Sequence, residues 1–111
     1  MEEKSKKNVF KPSLSSIDLF GEKYKIRYVD NIPSDDGYVY GQYNRVKGLI
    51  EVALLDDEGK PLSKETVRIS LLHEIMHAIF SAGQYREQND NEPLVEWCAK
   101  CLNQLIKSNI L

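Results

Sequence analysis

The first half of the chain alternates apolar and polar residues with a period of two, which is typical of half-buried β-strands. Residues 24–29 show this alternation with residue types that favour strands, and residues 38–43 and 49–55 continue it. Between the last two runs, residues 44–48 have the length of a hairpin connection and end in Gly48. The pattern therefore predicts an N-terminal antiparallel sheet of about three strands.

The second half changes to helical spacing. Apolar residues recur there every three or four positions, at Val67, Leu71, Leu72, Ile75, Ala78 and Ile79. Ser63 is a suitable N-cap, Glu65 suits the positive end of the helix dipole, and Gly83 is a typical stop. These residues predict one helix with recognisable ends.

A second helix is predicted to begin at residues 91–93, because proline is tolerated in a first helical turn. Its apolar stripe consists of Leu94, Trp97, Cys98, Cys101, Leu102, Leu105 and Ile106. Strands followed by two packed helices indicate an α+β fold. We expect residues 17–111 to form this single domain and the Lys- and Ser-rich residues 1–16 to be a mobile tail.

Composition narrows the classes of function. A chain of 111 residues with a formal charge of -2 has no broad basic surface, which argues against a nucleic-acid partner. No run approaches the roughly 18 apolar residues of a membrane helix, so no membrane partner is expected. The N-terminus lacks an apolar signal region, and two cysteines are too few for a disulfide scaffold. We therefore expect a cytoplasmic protein.

The predicted first helix carries the motif His73-Glu74-Ile75-Met76-His77, an H-E-x-x-H pattern. Histidines four residues apart lie on one helix face, so both imidazoles can bind the same ion. Glu74 is one position round from His73, where its carboxylate can take a proton from water beside the metal. A chance match is the alternative. The motif uses both histidines of the chain and lies in an independently predicted helix, which favours a metal site.

A catalytic zinc site needs a third protein ligand, which here must be a carboxylate or, less favoured, a cysteine. Glu92 and Glu96 are four residues apart at the start of the second helix and share one face. We favour Glu92 as the ligand and Glu96 as the carboxylate that fixes the tautomer of a ligating histidine. The reverse assignment stays open. Without a metal, both would be an acidic first turn that complements the helix dipole.

The order of elements resembles that of the gluzincins: strands and a hairpin, then the H-E-x-x-H helix. As in the thermolysin pattern, an asparagine-glutamate pair follows, here Asn91-Glu92, with the acidic Glu96 four residues after the glutamate. The compact chain looks most like the minimal ImmA/IrrE-type metallopeptidase domain and its short phage-borne relatives. This resemblance implies a small zincin-like fold with His73, His77 and Glu92 as zinc ligands. It also implies Glu74 as the general base.

The expected function is zinc-dependent hydrolysis of a peptide or protein substrate. Tyr85, in the connection between the helices, is the candidate donor to the oxyanion. In zincins an edge strand beside the motif helix receives the substrate, and residues 38–43 or 49–55 can supply it. Because a chain of this length has little surface for a deep cleft, we also expect a protein partner that completes the cleft.

Two other interpretations remain open: a non-catalytic, zinc-stabilised binding module, and an interaction protein without metal. Glu74 favours the enzyme, because a structural zinc site has no need of that carboxylate. The run Trp97-Cys98-Ala99-Lys100-Cys101 matches a W-C-x-x-C redox motif. It lies within the last predicted helix rather than after a strand, so core packing is the favoured interpretation of both cysteines.

Overall fold

The computed structural model describes residues 9–109, and these residues form a sheet followed by helices. The strands are β1 (Ser16–Leu19), β2 (Glu22–Val29), β3 (Ile32–Ser34), β4 (Gly37–Val39), β5 (Gly41–Asn44) and β6 (Leu49–Ala53). The helices are α1 (Lys64–Ala82), α2 (Arg86–Asp90) and α3 (Glu92–Lys107). The predicted α+β class is confirmed.

The main sheet has four strands in the order β1-β2-β6-β5, one more than the sequence pattern predicted. The pairs β1–β2 and β5–β6 are antiparallel, but β2 and β6 are parallel, so the expectation of a purely antiparallel sheet was wrong. A period of two identifies a strand without specifying its partner. Here the segment from β3 to β5 carries the chain back, so that β6 runs in the direction of β2.

Strand β1 joins β2 through a two-residue turn at Phe20 and Gly21. Both residues have positive φ, 56° and 97°, the backbone of the primed turns that match the twist of a tight hairpin. Phenylalanine is an unusual residue for this turn, and the strand is only four residues long. Neither feature signals a hairpin in the sequence.

The predicted strand at residues 38–43 is interrupted at Tyr40, because its two halves pair with different partners. Strand β4 pairs with β3 in a separate two-stranded ribbon, where Ile32 faces Val39. Strand β5 pairs with β6 in the main sheet, where Gly41 faces Val52. Strand β5 is the last strand on its side of the described sheet.

The predicted helix ends are confirmed. The Ser63 hydroxyl accepts the Thr66 N–H at 3.1 Å at the start of α1, and Gly83 follows its last residue. The Asn91 side chain accepts the Leu94 N–H at 3.1 Å at the start of α3. The short helix α2, between them, was not predicted.

Helix α1 lies between the sheet and α3. Its inner face packs on strands β2 and β6 in a core of buried apolar side chains: Tyr24, Ile26, Ile50, Val52, Leu54, Val67, Leu71 and Ala78. Glu65, early in α1, contacts Lys107 at the end of α3, while His77, late in α1, lies against Glu92 at its start. The two helices are therefore antiparallel, which brings the start of α3 to the motif.

Residues 1–8 of the predicted tail lie outside the described residues. Of the remainder, Val9 and Phe10 pack against the core, and the Leu14 carbonyl accepts the Tyr28 hydroxyl at 2.7 Å. Mobility of the tail stays a prediction. Among the described residues, no helix has both the length and the apolar character that crossing a membrane demands.

Candidate metal centre

Helices α1 and α3 bring His73, His77 and Glu92 together. The Nε2 atom of His73 lies 2.9 Å from one carboxylate oxygen of Glu92, and that of His77 lies 3.3 Å from the other. One ligand atom from each of the three residues can be chosen so that all lie within 4.8 Å of one another. This group can hold a metal ion, as the motif spacing predicted.

The other nitrogen of each imidazole faces an oxygen acceptor. His73 Nδ1 lies 2.8 Å from a Glu96 carboxylate oxygen, and His77 Nδ1 lies 2.7 Å from the Asn89 side-chain oxygen. Each Nδ1 therefore donates its proton, and the Nε2 of a neutral ring has a free lone pair. Both Nε2 atoms face carboxylate oxygens of Glu92, and either a proton on Nε2 or a cation shared by the three side chains offsets the charge of that carboxylate. A divalent metal fits this donor set.

Asn89 did not emerge from the sequence. Its neighbour Asn91 directly precedes Glu92, but the Asn91 side chain caps α3 instead of contacting a histidine. Asn89 reaches His77 because α2 turns the chain between the two long helices. The geometry of that turn depends on tertiary packing, and no local sequence signal marks Asn89.

Glu74 lies beside the histidines and is only 8% exposed. Its side chain rests against Gly41 of β5, where an added Cβ would be 2.8 Å from Glu74 Cγ and Oε2. The absence of a side chain at Gly41 therefore makes room for the Glu74 carboxylate. Burial raises the pKa of Glu74 above its ordinary value, although His73 and His77 partly offset this effect. A carboxyl with a raised pKa is a stronger base once ionised.

The electrostatic environment favours a cation. Burial lowers the pKa of His73, but the carboxylates of Glu96, Glu74 and Glu92 outweigh that effect and hold the pKa above its ordinary value. The same carboxylates that stabilise a protonated imidazole also attract a divalent ion. Because the metal requires neutral imidazoles, its binding displaces protons from the site.

Two adjoining cavities, of about 410 and 460 Å³, open at this centre and share Gly41, His73 and Glu74. The first is also lined by Tyr40, Thr66, Ile69, Ser70 and Glu96. The second is also lined by Val39, Gln42, Tyr43, His77 and Glu92. Together they form a groove between the edge strand β5 and helix α1, and we call it the β5 groove.

Tyr85, the predicted oxyanion donor, lies at the start of α2 and is 58% exposed. Among the described residues that line the β5 groove, Tyr85 does not appear, whereas Tyr40 lines it beside Glu74. The structure thus brings His73, Glu74, His77, Glu92 and Glu96 together without Tyr85. Cys98 and Cys101 are free and half-buried on α3, and their core role stays a prediction.

Comparison of the chain with protein-family models, with curated proteins and with solved structures gives no match.

Proposed function

We propose that this protein is a zinc-dependent peptidase in which Glu74 is the general base. One observation carries the proposal: the Glu92 carboxylate faces both Nε2 atoms, and the buried Glu74 lies beside them in an open groove. A structural metal site needs only the ligands, His73, His77 and Glu92, and has no use for Glu74. A carboxylate that lies beside the ligands and faces a groove is suited to accept a proton.

The donor set supports zinc as the metal. His73, His77 and Glu92 would supply two imidazole nitrogens and one carboxylate, the composition of a catalytic zinc site with one open position. When bound, zinc polarises the scissile carbonyl and lowers the pKa of its water to roughly 7. Glu96 and Asn89 hold the Nδ1 protons and so direct both Nε2 atoms at one point.

The protein side chains then perform the proton transfers. Glu74 accepts a proton from the attacking water and delivers it to the leaving amine as the peptide bond breaks. Contact with Gly41 keeps its carboxylate at the floor of the β5 groove, within reach of His73. Burial keeps the carboxyl in an environment where a proton binds more firmly than in water, which suits an acceptor that must hold a proton briefly.

The β5 groove suits an extended peptide. In the described sheet β5 is an edge strand, so its outer backbone groups are free to pair with an added strand. Strand β6 is interior and lacks such an edge, which favours residues 41–44 as the substrate strand of the two predicted alternatives. A peptide paired with β5 would pass over His73 and Glu74. Tyr40 lines this path and replaces Tyr85 as the proposed donor to the oxyanion.

One observation also favours a second candidate, a non-catalytic module that zinc stabilises. Glu92 is on α3 and both histidines are on α1, so a bound zinc would join the two long helices. Such a link contributes folding free energy to a small domain. Membership in the gluzincin or ImmA/IrrE-type family, and a cytoplasmic location, stay predictions.

Cleavage of a peptide library by zinc-loaded protein distinguishes the two candidates. The wild type and a Glu87→Gln control, which changes an exposed glutamate on α2, are expected to cleave equally. Glu74→Gln is expected to retain zinc and to lose cleavage by a factor on the order of 10² or more. Equal and negligible cleavage by all three zinc-loaded proteins would contradict the peptidase and support the binding module.

A further inference from the structure

The Tyr43 ring of the edge strand β5 lies against the His77 imidazole in an offset stack. The two rings are stacked, with centroids 5.9 Å apart and planes inclined by 17°. The rings of His73 and His77 also meet at a steep angle, with centroids 5.0 Å apart and planes inclined by 65°. With the hydrogen bond that Nδ1 donates to Asn89, His77 therefore contacts three neighbouring side chains.

Tyr43 is itself held by its place in strand β5 and by contacts with Tyr24. The Tyr24 hydroxyl donates its proton to Glu22 at 3.2 Å, so at the 3.4 Å contact between the two hydroxyls Tyr43 is the donor and Tyr24 the acceptor. Tyr24 is only 2% exposed, and its ring lies 5.7 Å from that of Tyr43. Glu22 in turn pairs with Arg45 at 3.4 Å. The strand and the packing against the Tyr24 ring therefore hold the Tyr43 ring in place, and its hydroxyl adds only a long contact.

We propose that Tyr43 is a positioning residue for the metal centre, which sets the plane of the His77 ring. The inference rests on the proposed metal-binding role of His77. A single hydrogen bond at Nδ1 leaves the ring free to tilt about the line from Nδ1 to Asn89. A flat ring against the face of the imidazole removes that freedom, so Nε2 stays directed at the point it shares with His73 and Glu92. The aromatic ring of Tyr43 carries this function, and its hydroxyl is not needed for it.

Zinc affinity, measured by competition with a chromophoric chelator, tests the proposal. Tyr43→Leu removes the flat ring and is expected to weaken zinc binding by about 10- to 100-fold, the usual effect of losing a group that orients a ligand. Tyr43→Phe keeps the ring and is expected to bind zinc as tightly as the wild type. Tyr28→Leu is the matched control, because Tyr28 is also a half-buried strand tyrosine, with its hydroxyl on Leu14. Its zinc affinity should not change.

The visible spectrum of the cobalt-substituted protein reports the ligand geometry directly. The d–d bands are expected to shift in Tyr43→Leu and to be the same in Tyr43→Phe, Tyr28→Leu and the wild type. Unchanged affinity and bands in Tyr43→Leu would overturn the proposal, as would equal losses in Tyr43→Leu and Tyr28→Leu.

Nuclear Overhauser contacts in the zinc-loaded wild type provide a measurement that needs no variant. Contacts between the ring protons of Tyr43 and His77 are expected, and their absence would overturn the proposal even if Tyr43→Leu does not fold. These measurements do not depend on catalysis. Loss of zinc in Tyr43→Leu by a protein that cleaves no peptide would therefore support the role of Tyr43 and contradict the peptidase.

Discussion

At the scale of single residues, two glutamates of the centre contact different nitrogen atoms of the histidines. Glu92 faces the Nε2 atoms of both histidines, whereas Glu96 contacts the Nδ1 atom of His73. The two glutamates are one helical turn apart, and the sequence favoured Glu92 as the ligand but left the reverse assignment open. Because Glu92 faces the two Nε2 atoms that would bind the metal, it is the better candidate for the ligand. Glu96, on the opposite nitrogen of His73, is the better candidate for the group that orients this ring.

Zinc content of two matched variants tests this assignment. Glu92→Gln is expected to lose stoichiometric zinc, because the amide is a poor ligand that cannot neutralise the metal charge. Glu96→Gln is expected to retain the site with an affinity lowered by about 10- to 100-fold, measured by chelator competition. Loss of zinc by Glu96→Gln alone would reverse the two roles.

The sequence and the structure point to different tyrosines as the donor to the oxyanion. Tyr40 lines the β5 groove beside Glu74, and Tyr85 is exposed at the start of α2. Tyr40→Phe is expected to lower kcat on the order of 10²-fold with little change in KM, because the lost hydroxyl acts on the developing oxyanion. Steady-state kinetics should find Tyr85→Phe unchanged. The opposite pattern would restore Tyr85 as the donor.

At the scale of elements, the fit between β5 and α1 depends on Gly41. An added methyl group would lie 2.8 Å from Cγ and Oε2 of Glu74, too close for either side chain to stay in place. Gly41→Ala is therefore expected to lower kcat by at least tenfold through displacement of Glu74. Zinc affinity should be retained. Lys47→Ala, an exposed change in the turn that follows the same strand and lies outside the groove, is the control, and wild-type kcat in Gly41→Ala would contradict the proposed fit.

Helices α1 and α3 are also joined far from the metal centre. Lys107 donates to Glu65 at 2.9 Å and holds the pKa of that carboxyl below its ordinary value, and Asn103 donates to the same oxygen at 3.3 Å. A carboxyl with a lowered folded-state pKa stabilises the fold above its unfolded pKa, and this contribution disappears as the pH falls through the folded value.

Thermal unfolding checks this pH dependence. Glu65→Gln is expected to lower Tm at pH 7, and the difference from wild type should disappear as the pH is lowered through the folded pKa of Glu65. Glu58→Gln breaks only a highly exposed pair with Lys60 and is expected to leave Tm unchanged. A Tm difference for Glu65→Gln that persists in acid would show that packing, not charge, accounts for the effect.

At the scale of the whole molecule, the features predictable from the sequence are the local ones. Ser63, Gly83 and Asn91 mark helix ends through contacts within a few residues, and the spacing of His73 and His77 follows from the helix itself. Features that depend on distant chain segments were missed. The parallel pairing of β2 with β6, the Asn89 contact with His77 and the space at Gly41 all join residues that no local pattern relates.

The antiparallel packing of α1 and α3 assembles the centre from residues 73–96, while the sheet supplies β5 as one wall of the groove. The central claim is that His73, His77 and Glu92 together bind one zinc ion. Anomalous diffraction at the zinc edge, from crystals of the zinc-loaded protein, tests it most directly. The account predicts one peak per chain, about 2.0–2.2 Å from both Nε2 atoms and a Glu92 oxygen. No peak there, or a peak bound by Glu96 in place of Glu92, would contradict it.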